Sequence, residues 1–254
     1  MLKFIGTGSA FNTELGNTSA YIKNDKTVFI FDCGESAFAR MKQIKLFENV
    51  ENVYIFITHT HSDHVGSIGS LIHYLNLFNG IVANIIVSTD EEAANNQMKV
   101  MKNLLHTYGC GEDAYEFTYA DMLEDVLPNL SDVKMVEVKH VDNLKSYSIE
   151  LYFKDRTIYF VGDNRDKTYL KHIAKKLKDN DIIYTDCTNQ VYKNSPHISI
   201  NELCEIFDEK QRKQVCTMHF NSSSCAQQAK SEGFMVACNE QSKEELLKQI
   251  ISKR

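Results

Sequence analysis

The sequence of 254 residues is sparing with punctuation. It holds two prolines, Pro128 and Pro196, no low-complexity linker and no repeat at a fixed period. Those absences count against solenoid and multi-module arrangements and leave a single domain over residues 1–254 as the expectation. No stretch reaches the roughly 18 uninterrupted apolar residues of a membrane span, and the opening "MLKFIGTGSAF" lacks the apolar core and cleavage site of a signal peptide. A cytoplasmic protein with no membrane partner is therefore expected. The seven cysteines, from Cys33 to Cys238, form no CxxC pair, which reads as reduced thiols rather than a disulfide framework. Excess positive charge is missing too: the formal net charge of −6 supplies no global attraction to polyphosphate, so no long nucleic-acid footprint is expected.

What is present begins with core material. With 43% hydrophobic and 24% charged residues, the chain can bury a large interior. Short runs such as "LKFIG", "SAYIKN", "TVFIFD", "VYIFIT", "VANIIVS", "KMVEVK", "YSIELYF", "RTIYFVGD", "DIIYTD" and "QVCTMH" read as strands. Helical periodicity covers 34–46, 66–79, 91–107, 166–178, 199–207, 222–231 and 242–252, and the whole of 90–130 is helical in period. Consecutive strands dominate the first half, whereas strands and helices alternate in the second. That order predicts an α/β chain built as a mixed-sheet sandwich flanked by helices.

The chemistry concentrates in "YIFITHTHSDHVGSIGSL", residues 54–71. His59, His61, Asp63 and His64 fall within six positions, directly after an apolar run. Four polar groups at the end of a buried strand need partners where water is excluded. His59 and His61, two apart, share one face of an extended segment, while Asp63 and His64 fall where the chain turns into a helix. Nitrogen donors with a carboxylate suit zinc, with manganese and iron accepting similar shells.

The pattern His59-Thr60-His61-Ser62-Asp63-His64 resembles the H-x-H-x-D-H signature of the metallo-β-lactamase superfamily. "FIGTGSAF" at 4–11 and "FDCGESAF" at 31–38 are similar to the opening segments of its ribonuclease Z-like branch, which makes Asp32 the counterpart of a buried supporting aspartate. "VEVKHVDNLKSYSIELYFKDRTIYFVGDN" resembles the stretch carrying the third histidine and the bridging aspartate, here His140 and Asp163; "HISINELCEIF" and "VCTMHF" supply His197 and His219. The resemblance implies a four-layer αββα sandwich with two divalent metals, one held by His59, His61 and His140, the other by Asp63, His64 and His219, bridged by Asp163. It also implies a homodimer.

Two such ions lower the pKa of a shared water and clamp the oxygens of a displacement, which makes hydrolysis the expected reaction. The resemblance gives Asp63 the role of orienting that water and His197 that of a proton donor to the leaving group. Read from its own surroundings, "SPHISINEL" equally places His197 just ahead of a helix started by Ser199 and Glu202 as a capping box. Only 22 residues separate His140 from Asp163, too few for the protruding arm that transfer-RNA-processing members carry. The expected substrate is therefore a small molecule or short nucleotide phosphodiester, with long RNA left open. A carboxylic ester, thioester or lactone hydrolase on the same metals is the alternative, because fold does not fix the reaction; a non-catalytic metal- or nucleic-acid-binding module is another.

Overall fold

The structure, a computed structural model describing residues 1–239, contains two six-stranded sheets. The first is formed by β1 (Lys3–Gly6), β2 (Ser19–Asn24), β3 (Thr27–Phe31), β4 (Asn52–Phe56), β5 (Ala83–Val87) and β6 (Tyr115–Tyr119), side by side in chain order. The second is formed by β7 (Leu130–Val138), β8 (Ser146–Phe153), β9 (Thr157–Phe160), β10 (Ile182–Asp186), β11 (Val215–Met218) and β12 (Met235–Val236), again in chain order. Hairpins open each sheet: β1–β2–β3 and β7–β8–β9 are antiparallel, and every later pairing is parallel.

Strand alternation decides the layers. In β3, Val28 and Ile30 point to one face and Phe29 and Phe31 to the other; in β4, Val53 and Ile55 alternate with Tyr54 and Phe56. The first set packs under α1 (Ala37–Gln43), α3 (Ile68–Tyr74) and α4 (Glu91–Thr107) through Met41, Leu71 and Leu105. The second set meets the facing sheet, where Phe31 lies 5.0 Å from Phe56 and 5.2 Å from Phe160 between ring centroids. On the far side, Tyr159, Ile183 and Val215 pack under α5 (Lys167–Lys176), α6 (Ile200–Ile206) and α7 (Ser223–Ser231). Helix, sheet, sheet, helix is the four-layer order expected.

Two elements differ from the sequence reading. Residues 90–130 are not helical throughout: α4 ends at Thr107, Tyr115–Tyr119 forms β6 against β5, and Leu130 already belongs to β7. The expected helix 66–79 is shorter, closing in a π-helical turn over Leu75–Asn79 that ends at Gly80. The expected helix 242–252 lies outside the described residues.

Topology gathers strand ends at one edge. Because β7 and β9 both run antiparallel to β8, and β9, β10 and β11 are parallel, four strands of the second sheet deliver their carboxyl ends to the same side. The turn after β3 is laced to the segment after β4: the Cys33 amide donates to the His64 carbonyl at 2.7 Å, and the Ser67 amide to the Cys33 carbonyl at 3.1 Å. A Cβ on Gly34 would lie 1.9 Å from the carbonyl oxygen of Asp63, backbone that cannot swing aside. Gly34→Ala is accordingly expected to destabilise the protein by about 1–3 kcal/mol in denaturant unfolding; a midpoint equal to the wild type would contradict this packing.

Candidate metal centre and active-site cleft

Each polar group reaches the site from a strand end. Beyond β4 the chain stays extended to His61, which precedes the short helix α2 (Ser62–Val65) carrying the buried Asp63 and His64. His140 lies two residues past β7, Asp163 three past β9, and His219 directly after β11. Gly162, before Asp163, has φ +69°, and a Cβ there would approach Thr58 Cγ2 to 2.9 Å. His219 and Asp32 also take left-handed backbone conformations, φ 59° and 60°, which side chains rarely adopt; such strain gathers at functional sites.

Two sets of ligand atoms result. In the first, His61 Nδ1 lies 3.0 Å from His59 Nε2 and 3.3 Å from His140 Nε2. The far nitrogens are spent elsewhere: His140 Nδ1 donates to the Pro196 carbonyl at 2.9 Å, and His59 Nδ1 faces Thr58 Oγ1 at 3.1 Å. Thr58 Oγ1 gives its own proton to Asp32 at 2.8 Å, so His59 Nδ1 must be the donor and its Nε2 carries a lone pair. Three imidazole nitrogens converge on one point, an arrangement that suits a cation between them.

In the second set, Asp63 Oδ2 is 3.4 Å from His64 Nε2 and 3.2 Å from His219 Nε2. Asp163 closes it, 3.4 Å from His64 Nε2 and 3.3 Å from His219 Nε2, and reaches back to the first set at 3.7 Å from His140 and 4.0 Å from His59. His64 Nε2 and Asp163 Oδ1 are buried without a hydrogen-bond partner, a cost that a bound cation would remove. His64 is aimed by Asp32, which accepts from its Nδ1 at 2.8 Å and from the Thr58 amide at 2.8 Å. Histidine and carboxylate donors in this arrangement fit a divalent metal site.

Electrostatics agree with that fit. Burial holds His59 well below its ordinary pKa and brings His140 down to about 4. Burial would raise Asp163, but the charges of His219 and His64 outweigh it and keep the carboxylate ionised; burial likewise opposes Asp63, which the His219 hydrogen bond and the nearby His64 imidazole hold far down. Burial would depress His64, yet the charges of Asp163 and Asp32 drive it well above its usual range. A histidine must give up its proton to ligate, so metal binding and protonation at His64 are alternatives.

His197 sits beside both sets, its Nδ1 2.8 Å from Asp186 Oδ2 and 3.8 Å from Asp163. Burial lowers its pKa, but the Asp186 hydrogen bond and the Asp163 charge prevail and raise it to about 9. The capping box is real as well: Ser199 and Glu202 close the start of α6 reciprocally. Asp186 escaped the sequence reading. Its signal is a lone aspartate ending the apolar strand "IIYTD", near the strand-end positions of Asp32, one past β3, and Asp163, three past β9. Asp63, Asp163, His197 and His219 line a cleft of about 320 Å³ together with Phe11, Gln190, Tyr192 and Asn221. "GTGSAF" proves to be both a turn and part of that wall, since Ser9, Ala10 and Phe11 line the cleft. Tyr115 is buried under the first sheet, and neither His106 nor Tyr108 reaches the cleft.

A strand-end histidine and aspartate centre at the edge of an αββα sandwich defines a protein of the metallo-β-lactamase fold. Solved structures agree: YhfI from Bacillus subtilis aligns with a TM-score of 0.66 over 93% of this chain and 94% of that one at 12% identity. The short form of human tRNase Z aligns with 0.61 over 94% and 96% at 17% identity. Within that fold the chain belongs to the family described as anti-Pycsar protein Apyc1, whose model matches residues 1–243. Anti-Pycsar protein Apyc1 of Paenibacillus harenae is 26% identical over 236 residues, covering 87% of this chain and 90% of that protein. The protein of the same name from Bacillus phage BSP38 is 24% identical over 235 residues, covering 87% and 89%. A ribonuclease Z from Methanococcus maripaludis is 36% identical over 109 residues, 41% of this chain and 32% of that one.

Two outcomes follow from this geometry. Asp32→Ala leaves His64 unaimed and is expected to weaken metal affinity by about 10- to 100-fold in a metal titration; unchanged affinity would remove Asp32 from the centre. His197, raised to about 9, stabilises the metal-free fold fully below its unfolded pKa near 6.5, and that contribution fades as pH rises through 9. The gap in unfolding midpoint between metal-free wild type and Asp186→Asn should therefore be wide at pH 6 and shrink by pH 10. A gap constant over that range would contradict the pairing.

Proposed function

We propose that the protein is a di-zinc phosphodiesterase of the ribonuclease Z-like type, acting on a small phosphodiester. The 3′,5′-cyclic nucleotides are the substrate class to which the family's anti-Pycsar name points. The observation that carries the reading is Asp163: one buried carboxylate lies within reach of both ligand sets, with His197, paired to the buried Asp186, facing the same cleft. His59, His61 and His140 would hold one ion and Asp63, His64 and His219 the other, with Asp163 shared between them. The family model's span supports one domain, and the free state of all seven cysteines supports a cytoplasmic location.

Divalent ions held by these residues would supply water acidified to neutral pH and would neutralise charge on the phosphoryl oxygens. The chain's own residues do the rest. Asp63 orients the attacking water and takes its proton. His197, fixed through Nδ1 by Asp186, gives a proton to the departing ester oxygen as the phosphorus–oxygen bond breaks. The Pro196 carbonyl and Asp32 keep His140 and His64 from rotating. A cleft of about 320 Å³ is at the small end of the roughly 300–1,000 Å³ of small-molecule sites, which supports a nucleotide-sized substrate over a folded RNA.

The test is turnover of 3′,5′-cyclic nucleotides and of bis(p-nitrophenyl) phosphate by zinc- and manganese-loaded protein. Asp63→Ala is expected to fall to background, and His197→Ala to lose about 10²- to 10⁴-fold in kcat while retaining its metal. No turnover of either substrate with both ions bound, or an unaffected His197→Ala, would overturn this reading.

A further inference from the structure

Large apolar side chains that face water call for an explanation when they gather at a site. Phe11 is 95% exposed and Tyr192 55% exposed, and both line the cleft that contains Asp63, Asp163 and His197. Isolated apolar residues on a surface are ordinary; two aromatic rings on the walls of one polar cleft are not. The other strongly exposed ring, Phe78, lies in the π-helical turn after α3, away from this cleft and stacked on Tyr74 at 5.5 Å.

Both rings stand on short turns tied to the site. The Asn12 amide donates to the Ser9 carbonyl at 3.1 Å, closing a turn with Phe11 at its tip. The Asn12 side chain and the Ser9 amide both donate to the Phe220 carbonyl at 3.0 Å, which fastens that turn to the residue following His219. Tyr192 begins a turn closed by the Ser195 amide at 3.2 Å, and Ser195 Oγ accepts from the His197 amide at 3.3 Å. The backbone turns that carry the rings are thus tied to the segments of His197 and His219, while the ring faces stay open. Gln190, also on the cleft wall and exposed, adds an amide able both to donate and to accept.

Exposed aromatic surface beside a phosphodiester site has one obvious small-molecule complement, a flat heterocycle attached to the phosphate. We propose that the mouth of the cleft is a nucleobase subsite, in which the base stacks on Phe11 and Tyr192 and Gln190 meets its polar edge. The inference rests on the phosphodiesterase reading for the orientation of the ligand, with the phosphate toward Asp163 and the base toward solvent. Stacking accepts any base, because every base has a π-face, so the subsite favours nucleotides over base-free phosphoesters more than it separates one base from another.

Binding tests the subsite without requiring turnover. Zinc-loaded full-length protein is titrated with uridine and adenosine 5′-monophosphates and with ribose 5-phosphate, which lacks the base. Both nucleotides are expected to bind about tenfold or more tightly than ribose 5-phosphate. Phe11→Ala and Tyr192→Ala should each narrow that ratio, and the double variant should bring it to within about twofold; because both residues are exposed, folding is not at stake. A wild-type ratio near one, or a ratio preserved in the double variant, overturns the proposal. Failure of the subsite appears as cyclic-nucleotide hydrolysis with no binding advantage of the nucleotides over ribose 5-phosphate. Failure of the phosphodiesterase reading appears as base-dependent binding without hydrolysis.

Discussion

A carboxylate buried among five imidazoles is the constraint on which this structure turns. Asp163 lies within 4.0 Å of His59, His64, His140, His197 and His219. An ionised carboxylate away from water is unfavourable unless surrounded by compensating charge or donors. Nearly everything near it can be read as meeting that demand. Hairpins at the start of each sheet, followed by parallel strands, bring the carboxyl ends of β7, β9, β10 and β11 to one side, and the loop after β4 completes the ring from the facing sheet.

Around the convergent atoms stands a second ring whose task is aim. Asp32 fixes His64 and Thr58, Thr58 in turn fixes His59, the Pro196 carbonyl fixes His140, and Asp186 fixes His197. For His59, His64 and His140 one nitrogen of the imidazole is occupied so that the other is directed into the site. The cost is visible in the backbone, where Asp32 and His219 are held in left-handed conformations. Stacked phenylalanines between the sheets, Phe31 on Phe56 and against Phe160, supply the rigid packing that holds such strain in place.

Much of this was legible in the sequence, for physical reasons that differ by element. Unbroken apolar runs in "TVFIF" and "NVYIF" mark strands buried on both faces, and four ligand-type residues in six positions mark a site. His140, Asp163, His197 and His219 are single polar residues at strand or loop ends; only a family resemblance connects them, and the structure brings all four together. Asp186 had neither a motif nor a cluster to announce it, since its partner His197 lies eleven residues away across a loop. Strand β6 was hidden because the strong helical period of Glu91–Thr107 dominates its neighbourhood; "YEFTY" becomes a strand by pairing with β5, a tertiary effect that a local pattern does not carry.

The central claim, that two divalent ions share Asp163, is tested most directly by anomalous diffraction at the zinc edge from crystals of zinc-loaded protein. The account predicts two peaks, one among His59, His61 and His140 and the other among Asp63, His64 and His219, with the Asp163 carboxylate contacting both. A single peak confined to the three histidines, or a Asp163 carboxylate that touches neither ion, would contradict it.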